Sequence, residues 1–329
     1  MKKRFLALLG AMLLSIGLTG CGNSANVTTL IMADVQEGDH PTARASDEFA
    51  RLVEKRTNGR IKVEVYHGST LGTEAQQGAQ ITVGGIDFAR LSSSVISNYD
   101  KQLKGLQALY LYKSEDSMWN VMDGNIGQRL LTSEELANNG MVGLCWFSGG
   151  SRNFYNNKKA VSSPSDLSGL TLRVNTDSMF GFLDACGAKG INVAYGDIYN
   201  SITAGVIDGA ENNWPSYIST GHYEVAKYIT IDEHTRIPEM IVASKATMDS
   251  LSAEDQQIIR ECAVEASKLQ RKWMNEFNDE AIKTAEASGV QITYLTEAQV
   301  KEFQNVASPV NAKVSADYIS LINEIISAQ

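Results

Sequence analysis

The amino-acid sequence predicts an α/β protein of two domains with a long helix spanning both, and three observations lead to that prediction. The chain has 329 residues, of which 43% are hydrophobic, so it is globular and long enough for about two domains. Short apolar strand patterns alternate with amphipathic helix patterns, which is typical of α/β layers with largely parallel sheets. Residues 253–288 contain neither glycine nor proline, which favours one helix longer than a single domain is wide.

The first twenty residues are predicted to be a leader that is removed. A basic start, Met1–Arg4, precedes an apolar run, Phe5–Leu14, that is shorter than the ~20 residues of a membrane span. The run ends in Leu18-Thr19-Gly20-Cys21, which resembles the bacterial lipobox. We therefore expect cleavage of residues 1–20, acylation of Cys21 and a short tether over residues 21–26. An ordinary signal peptide followed by an incidental cysteine is the alternative.

The charge of the mature chain limits its partners. Removing the leader takes away three of the 29 basic residues and none of the 38 acidic ones, which leaves a net charge of −12. Such a chain is not expected to bind nucleic acid, and it is expected to meet a membrane only through its lipid anchor. Cys145, Cys186 and Cys262 are odd in number and widely spaced, so three buried thiols are favoured over one disulfide, and zinc is not expected.

The remaining elements follow from hydrophobic periodicity. Val27–Ala33 is a predicted strand, and the apolar residues 45, 49, 52 and 53 form one stripe of a helix that begins at Pro41 and ends before Asn58-Gly59. Ile61–Tyr66 alternates as a half-buried strand. The later patterns predict helix 74–83, strand 86–91, helix 118–131, strands 141–147, 152–156 and 170–174, and helices 178–186 and 197–204.

The long helix carries an apolar stripe along its whole length. Its apolar residues recur every three or four positions, at Ile258, Cys262, Ala266, Leu269, Trp273, Phe277 and Ala281. Such a helix would be about 54 Å long, so we expect it to lie across two domains. A coiled coil is less favoured, because the stripe is not a sustained heptad.

Motifs of catalysis are missing from the sequence. It contains no phosphate-binding loop, no nucleophile elbow and no zinc-protease motif. His40, His67, His222 and His234 show no pairing at helical spacing, so no helix-borne metal site is predicted. The sequence thus predicts a binding protein, without enzymatic activity and without a cofactor.

Candidate binding residues lie where strands end. Arg173 ends a predicted strand, where α/β proteins bind ligands and where a guanidinium can hold a carboxylate with two parallel hydrogen bonds. Arg152 enters another strand after Gly149-Gly150. From the residues alone, a surface or sheet-edge position is the favoured interpretation of both arginines. Within residues 208–215, the amides of Asn212 and Asn213 suit helix capping or a ligand, and Trp214 suits the core or the apolar face of a sugar.

The chain resembles the DctP-type substrate-binding proteins of tripartite ATP-independent periplasmic (TRAP) transporters over essentially its whole mature length. The segments that carry the resemblance are His40-Pro41, 57–61, 71–74, 84–88, Leu167-Ser168-Gly169-Leu170-Thr171-Leu172-Arg173 and Gly205-Val206-Ile207-Asp208-Gly209-Ala210-Glu211-Asn212. It implies a periplasmic-binding-protein-like clamshell. Domain I would comprise residues 27–150 with about 238–277, and domain II residues 151–237 with about 278–329.

The resemblance also implies a ligand site. Arg173 matches the arginine that pairs with the ligand carboxylate, and Arg152 and Asn212 match the residues beside it, which reverses the surface interpretation of both arginines. Glu74 matches a position facing the pocket, and Ser92 follows a strand into the cleft. Sialic-acid-binding members carry glutamate at the position of Ser92, so sialic acid is less favoured here.

Three ligand classes remain open. One carboxylate clamp beside several polar side chains favours a hexuronate or related sugar acid, and the polar candidates are Glu37, Asp39, His40, Glu74, Ser92, Ser93, Asn175 and Asn213. A C4-dicarboxylate would need a second cation, which Arg90 could supply. A small 2-oxo acid would need a drier and smaller pocket.

The expected role is that of a lipid-anchored extracytoplasmic receptor that delivers its ligand to TRAP membrane permease subunits. A sensory co-receptor of the same fold is an alternative that the sequence does not separate. An extracytoplasmic hydrolase is disfavoured, because the sequence shows neither a nucleophile–base pair nor a metal set.

Overall fold

The computed structural model describes residues 27–314 and 318–329, so the predicted leader, Cys21 and the tether lie outside the described residues. The strands, in chain order, are β1 (Thr28–Ala33), β2 (Ile61–Tyr66), β3 (Phe88–Ser92), β4 (Met141–Phe147), β5 (Ser151–Asn156), β6 (Thr171–Arg173), β7 (Lys189–Ile191), β8 (Gly209–Asn212), β9 (Tyr228–Arg236), β10 (Glu239–Ser244) and β11 (Gln291–Tyr294). The helices are α1 (Pro41–Arg56), α2 (Glu74–Thr82), α3 (Ser93–Ile96), α4 (Glu115–Met122), α5 (Asn125–Leu131), α6 (Glu134–Asn138), α7 (Asp177–Ala185), α8 (Ile198–Thr203), α9 (Trp214–Ser219), α10 (His222–Val225), α11 (Lys245–Ser250), α12 (Ala253–Ala287), α13 (Glu297–Val314) and α14 (Ile319–Ser327).

The strands form two sheets, and each sheet with its helices is one domain. The sheet of domain I has the order β2-β1-β3-β10-β4, and that of domain II has the order β11-β9-β5-β8-β6-β7. The α/β class is as predicted, but both sheets are mixed rather than largely parallel. The cause is the crossing of the chain: β10 arrives from domain II, β5 arrives from domain I, and each runs antiparallel to both of its neighbours.

The long helix α12 confirms the prediction of one helix across both domains. Its first half packs Ile259, Cys262 and Ala266 into the core of domain I. Its second half packs Ala281 and Ala285 into the core of domain II. A helix of 35 residues is about 52 Å long, which suffices to reach both cores.

Gln270 fastens the middle of α12 to the segment that joins β4 to β5. Its side-chain oxygen accepts a hydrogen bond from the Ser148 amide at 2.8 Å, and its nitrogen donates to the Ser148 carbonyl at 2.9 Å. The same nitrogen donates to the Thr42 hydroxyl at 3.1 Å. A fully buried amide with both ends bonded holds the helix and the crossing segment together between the domains.

Two expectations about helices are wrong. The predicted helix 118–131 is two helices, because the chain leaves α4 at Gly124 and then turns back so closely that a Cβ at Gly127 would lie 1.9 Å from the Met122 carbonyl oxygen. The C-terminal α14 does not belong to domain II, where residues 278–329 were expected. Its residues Leu321, Ile322 and Ile325 pack into the core of domain I, because this strongly amphipathic helix buries its apolar face there.

Cys145, Cys186 and Cys262 are buried free thiols, as the sequence favours. Within the described residues, no helix is long and apolar enough to cross a membrane.

Candidate functional site

A cavity of about 410 Å³ lies in the cleft between the two domains. Domain I contributes Glu74, Ser94 and Lys104 to its wall, and domain II contributes Arg173 and Tyr195. Its volume falls within the range of about 300–1,000 Å³ that small-molecule pockets occupy. Charged and polar groups from both domains thus converge on one space.

Arg173 is buried in this wall with most of its hydrogen-bonding capacity unused. It ends β6, and its Nε donates to the Val193 carbonyl at 2.9 Å. Its two terminal nitrogens have no hydrogen-bond partner among the described residues, although the residue is only 6% exposed. Burial lowers the pKa of its guanidinium, and the charge of Arg152 acts in the same direction, against the opposing effect of Glu211. The arrangement is suited to an incoming anion with two acceptor atoms.

Arg152 lies close to Arg173 in the same sheet but is fully paired. Antiparallel pairing of β5 with β8 places it against Glu211 and Asn212. It forms a bidentate ion pair with Glu211, and its Nη1 donates to Asn212 Oδ1 at 2.8 Å. That oxygen also accepts from the Asn213 amide, and the Asn212 side-chain N–H groups have no hydrogen-bond partner among the described residues. Arg152 and Asn212 are not among the described residues that line the cavity.

A buried histidine, His234, contacts the Glu211 carboxylate of the Arg152–Glu211 ion pair. His234 Nε2 lies 3.3 Å from a Glu211 oxygen, and its Nδ1 lies 2.9 Å from Asp232 Oδ2. Burial alone would lower the pKa of His234, but the two carboxylates outweigh it and raise the pKa to about 9. Burial would likewise raise the pKa of Glu211, but Arg152 and His234 lower it to about 2. His234 and Glu211 are therefore both charged at neutral pH.

On the domain I side of the cavity, behind the lining residue Glu74, Arg90 is enclosed by three carboxylates, Asp34, Glu74 and Glu239, which with it form the Arg90 cluster. Its Nε and Nη2 each donate to Asp34 Oδ1 at 3.2 Å, and its Nη1 donates to Glu74 at 3.1 Å and to Glu239 at 3.2 Å. Strand register brings them together, because Ala33 pairs with Ala89 and Glu239 pairs with Ser92. The expectation that Arg90 offers a free second cation is therefore wrong: four of its five N–H groups are already used.

Two members of the Arg90 cluster differ in their surroundings. Burial raises the pKa of Glu239 to about 7, against the opposing effect of Arg90. Glu74 Oε1 accepts from Arg90 and from the Ser92 amide. Glu74 Oε2 has no partner within the described part of the chain, and Glu74 lines the cavity.

Three of the hydrogen bonds that join the two domains across the cleft are called the cross-cleft bonds, and a longer contact of 3.4 Å between Ser216 Oγ and His40 Nε2 also joins the domains. Asn175 Nδ2 donates to Ser94 Oγ at 3.1 Å, the Tyr195 hydroxyl donates to Gln36 Oε1 at 2.7 Å, and Lys104 Nζ donates to Asp177 Oδ2 at 2.8 Å. Ser92, one of the predicted residues, bonds Ser94 through its hydroxyl at 2.7 Å. The two domains are thus in direct contact across the cleft.

Other predicted site residues use their side chains within the fold. His40 caps α1, with its Nδ1 accepting from the Thr42 amide, and burial followed by the charge of Arg90 lowers the pKa of its ring to about 3. Asn213 caps α9 through its oxygen, while its nitrogen donates to the Gly149 carbonyl at 2.7 Å. Trp214 packs in the core against Tyr217.

Three further predicted residues lie away from the central cavity. Glu37 and Asp39 are exposed and line a separate crevice at the mouth of the cleft. Ser93 is fully buried at the start of α3, and its hydroxyl has no partner within the described chain.

Sequence analysis does not single out Tyr195, Lys104, Asp34 or Glu239. Asp34 follows directly after β1, so the strand-end rule applied to Arg173 would have selected it. Tyr195 and Lys104 lie in short 3₁₀ helices, Tyr195–Asp197 and Lys101–Gln107, whose sequences carry no binding motif. In the described ranges, no cluster of three or more histidine, cysteine or carboxylate side chains is suited to a metal ion.

Known solute-binding proteins resemble this chain in sequence. A profile of the bacterial extracellular solute-binding proteins of family 7, named DctP, matches residues 32–317. A solute-binding protein of Chromohalobacter salexigens is 34% identical over 316 residues, which is 93% of either chain.

Solved structures resemble the whole fold. A TRAP periplasmic solute-binding protein of Chromohalobacter salexigens, solved with bound D-glucuronate, matches with a TM-score of 0.87 at 34% identity and covers 91% of this chain and 100% of its own. A TRAP periplasmic protein of a Sulfitobacter species, solved with bound β-D-galacturonate, matches with a TM-score of 0.86 at 31% identity, over 92% and 99% of the two chains.

The family consists of extracytoplasmic receptors that bind transported solutes and are not enzymes. The profile match over most of the chain and the two-domain fold lead to one conclusion: the chain belongs to the DctP family of TRAP solute-binding proteins.

Proposed function

We propose that this protein captures a hexuronate or a related sugar acid by closing its two domains around a carboxylate held by Arg173. The observation that carries the proposal is the buried guanidinium of Arg173, whose terminal nitrogens face the cleft without a partner in the described chain. A ligand carboxylate would supply both the missing charge and two acceptors. Asn212, held by Arg152, would donate to the same carboxylate, and Glu74 would accept from a hydroxyl group.

Two observations favour a sugar acid over a C4-dicarboxylate. Among the described residues of domain I, Arg90 is engaged by three carboxylates, and the cavity-lining Lys104 is paired with Asp177, so neither cation is free for a second carboxylate. The related proteins of Chromohalobacter and Sulfitobacter were solved with D-glucuronate and β-D-galacturonate, each of which has one carboxylate and several hydroxyl groups. Succinate or malate remains the alternative ligand class.

A thermal-shift screen followed by calorimetry tests the ligand class. D-Glucuronate, D-galacturonate and D-galactonate should raise the melting temperature, because a ligand at a hundred times its dissociation constant stabilises the folded protein by about 2.7 kcal/mol. Succinate, malate, pyruvate and a sialic acid should not. A larger shift with succinate than with any sugar acid would replace the proposal by its alternative.

The proposal also covers the membrane subunits that receive the ligand and the lipid anchor of the receptor. We infer delivery to TRAP permease subunits, with acylated Cys21 holding the receptor at the membrane. Cells that lack the permease but keep the receptor should fail to take up the ligand, whereas a purely sensory role would leave uptake unchanged. Cys21→Ser should release the protein from membranes, and an intact mass that shows an unmodified mature start beyond residue 21 would contradict the anchor.

A further inference from the structure

The Arg90 cluster carries more negative than positive charge. Three carboxylates surround one guanidinium, which gives a formal charge of −2, or −1 when Glu239 holds a proton. All four side chains are at most 15% exposed, so solvent screens them weakly. The part of the domain I wall formed by Glu74 is therefore anionic, and Lys104, the cation on the same wall, is paired with Asp177.

Glu74 brings this charge to the ligand. It is the member of the Arg90 cluster that lines the cavity, and Arg173 lines the same cavity from the other domain. Its Oε1 is fixed by Arg90 and by the Ser92 amide, and its Oε2 has no partner among the residues that the structure describes. An oriented carboxylate with a free oxygen accepts a hydrogen bond from a hydroxyl group and repels another carboxylate.

We propose that the Arg90 cluster, acting through Glu74, is a specificity device that excludes acids with a second carboxylate. The inference rests on the proposed function, since it takes the first carboxylate to be bound by Arg173. The ligand end that meets Glu74 must then carry a hydroxyl group or another donor. Sugar monocarboxylates fit this cleft, and the corresponding dicarboxylates, the aldarates, are rejected because like charges would face each other in a site closed to water.

The test compares D-galactonate with galactarate, two linear acids that differ only in whether the far carbon is a hydroxymethyl group or a carboxylate. Competition against D-galacturonate at pH 8 gives a dissociation constant for each, even where binding is weak. We expect the wild-type protein to bind galactarate about a hundredfold more weakly than galactonate. In Glu74→Gln this ratio should fall at least about tenfold, because glutamine keeps the shape and loses the charge.

Two further variants complete the design. Glu54→Gln removes the same charge from an exposed site on α1 and should leave the ratio unchanged. Glu239→Gln removes a charge from the Arg90 cluster without touching the cavity wall, and should lower the ratio even if Glu74→Gln fails to bind or to fold.

The outcomes separate this inference from the proposed function. Equal binding of galactonate and galactarate by the wild type overturns the inference while D-galacturonate binding upholds the function. An unchanged ratio in both cluster variants also overturns it. If the wild-type protein does not bind D-galacturonate, the proposed function is overturned, and this inference with it.

Discussion

Two buried arginines lie in opposite domains, Arg173 in the cavity wall and Arg90 behind the cavity-lining Glu74, and they differ in almost everything but residue type. Arg90 makes four hydrogen bonds to three carboxylates, whereas Arg173 makes one, to a main-chain carbonyl. Arg173 ends β6, whereas Arg90 lies in the middle of β3. What separates them is whether the fold supplies the counter-charge. An arginine whose charge is paired within the fold holds parts of the protein together, whereas an arginine without such partners is available to a ligand.

The difference has an energetic side. A buried charge without a partner destabilises the folded state, whereas removing one partner from a buried ion pair leaves the other charge uncompensated. The same substitution at the two arginines should therefore have opposite consequences for stability and for binding.

The largest expected effect is on stability at Arg90. Arg90→Met should lower the free energy of unfolding by about 3–5 kcal/mol, because Asp34, Glu74 and Glu239 lose their shared cation. Arg173→Met is the matched control and should cost little or even stabilise the ligand-free protein. Denaturant unfolding of the two variants measures the contrast. Equal losses would show that our distinction between the two arginines is wrong.

The next effect is on binding at Arg173. Arg173→Ala should weaken binding of a sugar acid on the order of a hundredfold or more, because two charge-assisted hydrogen bonds are lost. Arg173→Lys should have an affinity between those of the wild type and Arg173→Ala, since it keeps the charge without the planar fork. Exposed Arg51→Ala is the control and should bind as the wild type does.

The ligand can be varied together with the residue. Calorimetry with D-galacturonate and with D-galactose, which lacks the carboxylate, completes a two-by-two set for wild type and Arg173→Ala. The missing carboxylate should matter far more to the wild type. If both proteins bind D-galacturonate equally well, Arg173 does not hold the carboxylate.

A third arginine, Arg152, extends the comparison, because its partner Glu211 is bonded in turn to His234. The pKa of His234 is raised from 6.5 to about 9, so its contribution to stability is fully present below about pH 6.5 and is lost as pH rises towards 9. The shift corresponds to a contribution on the order of 3 kcal/mol.

Comparison of wild type with His234→Gln at several pH values isolates this contribution, since Glu239 titrates in both proteins. The stability advantage of the wild type should shrink between pH 6.5 and 9. An advantage that stays constant over that range would mean that His234 is neutral.

The smallest expected effect concerns the cross-cleft bonds. Tyr195→Phe removes the hydroxyl that donates to Gln36 and should weaken ligand binding by a factor of about 2–10. It should also shift the ligand-free protein towards an open form with a larger radius of gyration in solution scattering. Tyr199→Phe, which loses a bond to Glu224 inside domain II, is the control and should change neither quantity. Identical scattering of the wild type with and without ligand would contradict closure by a hinge.

Local patterns sufficed to predict some of these features but not others. The stripe of α12 and the strand that ends in Arg173 depend on neighbours within a few residues, and both are found in the structure. A shared ligand site of Arg173, Arg152 and Asn212 follows from the family resemblance rather than from any local pattern and stays a prediction, since of the three only Arg173 is among the residues that line the cavity. The break between α4 and α5 depends on a close approach at Gly127 that periodicity does not report.

The role of Arg90 could not be predicted because its partners are distant in sequence. Asp34 is 56 positions away and Glu239 is 149 positions away, and only the pairing of β3 with β1 and β10 brings them together. An arginine in a strand is a possible ligand residue until such partners are known. The position of α14 on domain I likewise depends on packing between the two ends of the chain.

The cross-cleft bonds also affect how long a bound solute stays in the cleft. A solute enclosed by Asn175–Ser94, Tyr195–Gln36 and Lys104–Asp177 leaves after the domains separate, and such domain motions take microseconds to milliseconds or longer. The residence time of the solute is then governed by how often these three contacts break together. Solutes that bind the inner wall with different strength, but close the same mouth, would share that opening step on the way out.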